Sequence, residues 1–185
     1  YIQYAAEKGH PKALYYYHTN INNSFQYLKE AAYKGHIDAM YEYGMKLQNI
    51  GDQKESIIFL KKASDAGQLD SIYEYALVID NGAGINPDHA KAAQLLKISA
   101  NNGNIDAMCQ YGYKLVNGIG VEIDKESGSK YLKESADNVN LLAMYNYAIM
   151  LNNGIGISVD KKEALKYFKL AADKGDSKAM FNYAV

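Results

Sequence analysis

The pattern A-x-x-G-x-x-x-A, followed by a cluster of Met and aromatic residues, recurs down this chain almost without a break. The copies read AAEKGHPKALYYY, AAYKGHIDAMYEY, ASDAGQLDSIYEY, SANNGNIDAMCQY, SADNVNLLAMYNY and AADKGDSKAMFNY. Their turn positions are Gly9, Gly35, Gly67, Gly103, Val139 and Gly175, so the spacing settles at 36 after steps of 26 and 32. Segments that repeat at such a period do not bury their apolar faces alone; stacked neighbours cover one another. The expectation is one repeat array over residues 1–185, with about five helix-pair units and an incomplete unit at each end.

Each unit reads as two helices. In DKKEALKYFKLAADKG, Ala164, Phe168, Ala171 and Ala172 fall at i, i+4, i+7 and i+8, one face of an α-helix. Asp160 can cap that helix with Glu163 completing a capping box, and Asp52 with Glu55 repeats the arrangement. Asp124 and Asp88 hold the same register, although Asn86-Pro87 leaves open an earlier start with Pro87 at the first helical position. The second helix carries Ala107, Met108, Tyr111, Gly112 and Leu115 on one face, with Asn104, Asn140 and Asp176 placed to cap its copies. It ends at the pairs Gly82/Gly84, Gly118/Gly120 and Gly154/Gly156.

Columns of small residues predict how the helices approach. Ala39, Ser71, Ala107, Ala143 and Ala179 form one, and Gly44, Ala76, Gly112, Ala148 and Ala184 another, opposite the bulk of Leu28, Leu60, Leu96, Leu132 and Phe168. Three departures stand out. The unit at Gly35 lacks a Gly-x-Gly loop and turns at Asn49-Ile50-Gly51; the first unit is ten residues short, which predicts a stunted helix from Pro11 to about His18. Val139 replaces a turn glycine, which predicts Asn138 as the left-handed residue instead.

The combination G-x-G-[IV]-x-x-D-x-x-x-A-x-x-Y-[LF]-K-x-A-A-x-x-G-x-x-x-A-M-x-x-Y-A resembles the Sel-1-like repeat, a relative of the tetratricopeptide repeat. The strongest copy is GIGISVDKKEALKYFKLAADKGDSKAMFNYA, residues 154–184, and weaker copies cover essentially the whole chain. A tetratricopeptide array would instead show a uniform period of 34 and no Gly-x-Gly loop. The resemblance implies an all-α, right-handed α/α superhelical solenoid of stacked antiparallel helix pairs, whose members usually serve as adaptors or scaffolds for protein complexes. Some protist members carry a protein kinase domain elsewhere in the chain.

Composition narrows the function classes. Hydrophobic residues are 48% and charged residues 22%, an ordered protein and not a disordered one. The net charge is −1 with no long block of one sign, which argues against a nucleic-acid surface. No apolar run approaches the ~18 residues that cross a bilayer, so no membrane insertion is expected. A single cysteine, Cys109, excludes an internal disulfide framework and favours a reducing, cytoplasmic setting. Asn22-Asn23-Ser24 matches a glycosylation sequon, read as a chance match in an Asn-rich turn. The chain starts with Tyr1 inside one unit and ends with Val185 inside another, so it is expected to belong to something longer and to leave uncapped ends open to self-association.

Catalytic chemistry has no visible home here. The Gly-x-Gly loops follow helices and lack the third glycine of a phosphate cradle. His10 and His36 follow equivalent turn glycines, but equivalent positions of neighbouring units lie roughly 10 Å apart, too far to share one metal ion. Cys109 occupies the column of Tyr41, Tyr73, Tyr145 and Phe181, a packing position. Cysteine-rich relatives with proposed β-lactam hydrolysis need a cysteine pair in every unit, which this chain lacks. No cofactor or metal is expected.

Two polar columns remain as a candidate partner surface. Lys29, Lys61, Lys97, Lys133 and Lys169 recur without exception, each four residues before Tyr33, Asp65, Asn101, Asp137 or Asp173. They form either a solvated face with weak i,i+4 pairs or a basic ladder along one edge. Tyr15, Tyr16 and Tyr33 fit the core columns poorly and are candidate aromatic anchors. Glu30, Lys62, Ile98, Glu134 and Leu170 share one column but differ in chemistry, where partner choice would be written. The expected function is a non-catalytic scaffold for a protein or peptide partner. The alternative is a regulatory or targeting arm of a larger enzyme, such as a protein kinase with its catalytic domain outside this segment.

Overall fold

A computed structural model describes residues 1–184, apart from the Asn22 side chain; Val185, the residue on which the chain ends, lies outside the described residues, and the sequon side chain with it. The described residues form helices and no strand. They fall into two compact units that divide after Pro87. Unit 1 holds α1 (Ile2–Glu7), α2 (Pro11–Tyr17), a π-helical turn (His18–Asn22), α3 (Phe25–Tyr33), α4 (Ile37–Asn49), α5 (Gln53–Asp65) and α6 (Leu69–Asn81). Unit 2 holds α7 (His89–Asn101), α8 (Ile105–Asn117), α9 (Lys125–Asp137), α10 (Leu141–Asn153), α11 (Lys161–Asp173) and α12 (Ser177–Ala184). Within each unit every helix packs on the next one in the chain.

Local signals set the helix boundaries where the sequence predicts them. The side chains of Asp52, Asp88, Asp124 and Asp160 accept from the backbone N–H three residues on, and so begin α5, α7, α9 and α11. Asn104 and Asn140 do the same for α8 and α10. Asp88 settles the start of α7: its first residue is His89, and Pro87 lies outside the helix. Pro87 instead sits beside Gly82, whose positive φ of 66° ends α6.

The turn inside each pair is as short as helix geometry permits. After α7, Gly103 N–H returns to Ala100 O at 2.9 Å and Asn104 N–H to Ser99 O at 3.2 Å, and the same Asn104 then caps α8. One residue of this turn must be left-handed. Where glycine is missing, that residue is Val139 (φ 73°), not Asn138, which stays near φ −90°. The sequence expectation follows side-chain preference; the structure follows register. Moving the left-handed residue back by one would break the paired bonds Val139 N–H to Ala136 O (3.0 Å) and Asn140 N–H to Ser135 O (3.1 Å). Asn138 uses its amide differently, donating to Glu134 O at 2.9 Å.

The core is the seam between consecutive helices. Leu28, Leu60, Leu96 and Leu132 are buried, as are the small residues Ala39, Ser71, Ala107 and Ala143. Gly112 of α8 meets α9 so closely that a β-carbon would lie 3.0 Å from Gly128 O. Ser56 and Ser135 bring hydroxyls into this seam, and each is satisfied by a carbonyl across it: Gly44 O at 2.8 Å and Ile105 O at 2.7 Å. Cys109 is buried, and burial, with Asp106 adding to it, pushes its thiol up to about 12.

The short first unit closes differently. α2 is only seven residues long and passes into the π-helical turn, which ends at Asn23 with φ 46°. The buried His18 ring pins this turn: Nδ1 is 2.9 Å from Ser24 O and Nε2 is 2.8 Å from Glu42 of α4.

Candidate functional site

The last residue or two of each first helix, the turn after it, and the outer face of the next first helix bound one recurring piece of surface. In unit 2 it forms a cleft twice. The first cleft, about 490 Å³, lies between the end of α7, the start of α8 and α9; Asn101, Met108, Tyr131 and Glu134 are among its lining residues. The second, about 360 Å³, lies one repeat later, with Asp137, Met144, Tyr167 and Leu170 at the equivalent positions.

An aromatic brace frames each cleft. Tyr131 stacks edge-on against Tyr111 of α8 with centroids 5.1 Å apart, and Tyr167 against Tyr147 of α10 at 5.0 Å. Their hydroxyls reach back to the preceding first helix: Tyr131 donates to Asn101 Oδ1 at 2.8 Å and Tyr167 donates to the Asp137 carboxylate. Lys133 holds the other Asp137 oxygen at 2.6 Å. Partial burial pushes the Asp137 carboxyl up, but the bonds from Lys133 and Tyr167 outweigh it and hold it below the usual carboxylate range. Burial, reinforced by Asp137, raises the Tyr167 phenol, which therefore stays a donor. The brace fixes the walls, and the residues that differ between the clefts are free to vary.

In unit 1 the equivalent ground is filled. Tyr33, at the register of Asn101 and Asp137, lays its ring edge-on against Phe59 at 5.0 Å and donates to Glu55 at 2.5 Å. That bond is the main reason its phenol is raised. Lys62 sits over the Phe59 ring at 5.2 Å. Phe59 has no hydroxyl to offer an acceptor at position 33, so a ring–ring contact takes the place of the brace.

The lysine column is divided in its contacts. Lys61 pairs with Asp65 at 2.5 Å and Lys133 with Asp137, both four residues on in the same helix, while Lys29 lies over the Tyr33 ring at 5.7 Å. Lys97 and Lys169 are exposed on α7 and α11. Tyr15 is half-buried and stacks on His36 at 4.5 Å. Burial, followed by Glu42 and Asp38, raises its phenol. Tyr16 is exposed and lines an apolar cleft of about 390 Å³ between α1 and α2, with Tyr1, Ile2 and Ala13. Tyr15, Tyr16 and Tyr33 thus occupy three different surroundings, although all three belong to unit 1. Of the variable column, Glu134 and Leu170 each line a cleft of unit 2. The Tyr131 and Tyr167 braces were missed in the sequence. Their signal is an aromatic residue 30 positions after an Asn or Asp, once in each of two consecutive repeats.

Consecutive helix pairs with tight glycine turns and Gly-x-Gly loops define an α-helical repeat protein. Matches to the Sel1 repeat family cover residues 37–68, 69–104, 105–140 and 141–176, and the chain belongs to that family. Among solved structures, c5321, a protective antigen present in uropathogenic Escherichia coli strains displaying an SLR fold, matches with TM-score 0.86 and 25% identity over 98% of this chain and 42% of its own. A Sel1 repeat protein from Oxalobacter formigenes matches with TM-score 0.76 and 22% identity over 97% of this chain and 57% of its own. Helicobacter pylori cysteine rich protein B matches with TM-score 0.55 and 20% identity over 66% of this chain and 92% of its own. The chain therefore spans about half the length of the first two. No curated protein matches it in sequence. Proteins of Sel1 repeats typically mediate protein–protein interactions. No described helix is long and apolar enough to cross a membrane.

Proposed function

We propose that this segment is a non-catalytic scaffold that presents the clefts of unit 2 to a protein or peptide partner. One observation carries it: two clefts share one backbone frame and one aromatic brace yet differ in the residues on their walls, Glu134 in one and Leu170 in the other. Conserved geometry with variable chemistry is how a repeat surface achieves selectivity without reshaping itself. Rigid helix ends keep the ordering cost of binding low. Cys109, in a packing position by its column, is buried with its thiol pushed up to about 12, which speaks for packing over catalysis.

The test exchanges the wall residues. Glu134→Leu combined with Leu170→Glu leaves both helices intact, because both side chains are exposed. Affinity capture with the parent and the exchanged chain should yield different partner sets at equal thermal stability. Identical sets would count against the clefts as the contact surface. Nothing in the relatives favours the alternative of a regulatory arm on an enzyme.

A further inference from the structure

We propose that the two clefts of unit 2 act as one bipartite site for an extended peptide, taking a basic side chain at Glu134 and an apolar side chain at Leu170. The inference rests on the scaffold function above and makes it specific.

The spacing comes from α9, which the clefts share. Tyr131 and Glu134 form part of the first cleft, and Ala136 and Asp137 part of the second, on one thirteen-residue helix. Two sites on either side of a helix are separated by about its diameter, roughly 10 Å. A chain in the extended polyproline-II conformation advances about 3.1 Å per residue with three residues per turn, so side chains three residues apart lie on one face about 9 Å apart and reach both.

The charges select what each cleft accepts. In the first, Lys130 is taken up by Glu126 at 2.7 Å, while Glu134 has no ion pair among the described residues. The free charge is therefore a carboxylate, and the Met108 and Tyr131 side chains offer an apolar wall for the aliphatic stem of a lysine or arginine. In the second, both carboxylates are already engaged: Asp137 by Lys133 and Tyr167, Glu163 by Lys166 at 2.5 Å. What remains is Val139, Met144 and Leu170, with Lys174 at the rim to repel a second basic residue. Val139 and Leu170 are 55% and 47% exposed, so an apolar side chain placed there covers surface now facing water.

A random decapeptide display library, selected on the whole chain, tests this. The comparison protein is the double variant Asn101→Tyr with Asp137→Tyr, which sets a ring in each cleft as Tyr33 does in unit 1. Peptides held by the parent and lost from the double variant should carry Lys or Arg and, about three residues away, Leu, Ile, Met or Phe. In fluorescence anisotropy, a synthesised peptide of this kind should bind Glu134→Lys about tenfold more weakly, and Glu in place of its basic residue should restore binding to that variant. The exposed Glu134 makes that substitution harmless to the fold. Cleft-dependent peptides without the basic–apolar pair, or with unchanged affinity for Glu134→Lys, would overturn this inference and leave the scaffold function standing. A selection in which no peptide depends on the clefts would overturn both.

Discussion

At the register of Tyr33, Asn101 and Asp137 the two units build the same junction with opposite results. Unit 1 places a tyrosine there, 60% exposed yet held between Phe59 and Glu55. Unit 2 places a short acceptor there, and the tyrosine from the next first helix reaches it instead. The direction of one hydrogen bond decides whether the junction is filled or open. The loops differ too. In unit 2, the second glycine of each Gly-x-Gly pair lies against the start of a helix: a β-carbon on Gly120 would be 2.1 Å from His89 O and one on Gly156 2.3 Å from Lys125 O. Gly84, the unit 1 counterpart, would meet only Gln53 and Ile57 side chains at 3.8 Å. Unit 2 is thus the more tightly specified region and also the one in which this junction stays open. Rigidity there comes from backbone contact, which leaves wall side chains free to differ.

The largest test of this contrast lies in the loops. Gly120→Ala should cost about 3 kcal/mol by denaturant unfolding, whereas Gly84→Ala should cost about 1 kcal/mol, the strain of a left-handed alanine alone. Equal costs would remove the difference in packing. Gly112→Leu should cost about 2–3 kcal/mol, because even a methyl group there meets the Gly128 carbonyl, and unchanged melting would take the column out of the seam. Tyr33→Asn should cost about 1 kcal/mol, the worth of an aromatic pair, and should open a cleft in unit 1 that binds a solvent probe by NMR.

Val139→Gly runs the other way. It should stabilise the chain by roughly 0.5–1 kcal/mol, since glycine takes φ 73° without the β-carbon strain, and a lower melting temperature would contradict the strain. The smallest effect concerns pH. Asp137 is held below its unfolded value, so its contribution is present above about pH 4 and fades as pH falls through the folded value. The side chain is nearly half exposed, so solvent screening keeps the effect small. Asp137→Asn should flatten the acid limb of the stability curve slightly and leave neutral pH behaviour nearly unchanged.

Much of the fold was legible because its signals are local. The aspartate and asparagine caps, the glycine terminators and the small-residue columns act within a few residues of themselves, and a period of 36 repeats them until they are unmistakable. Val139 shows where local preference fails: a β-branched residue takes the left-handed position because two backbone bonds, fixed by the helices on either side, leave it no other. The candidate site was legible only in part. Glu134 and Leu170 stand out as variable members of one column, but Asn101 and Asp137 look like partners for the lysine four residues earlier. Asp137 takes that partner and a second one from α11, 30 residues on.

The residues by themselves therefore determined that this chain is made of Sel1 helix pairs, where most of the helices begin and end, and which side chains form the seam. Those outcomes depend on hydrogen bonds and steric limits spanning three or four positions along the backbone. Which junctions stay open, and which charges remain free to meet a partner, was decided by tertiary structure. Each of those depends on a hydroxyl or ammonium from one helix reaching an acceptor on another, and that distance exists only once the helices have packed.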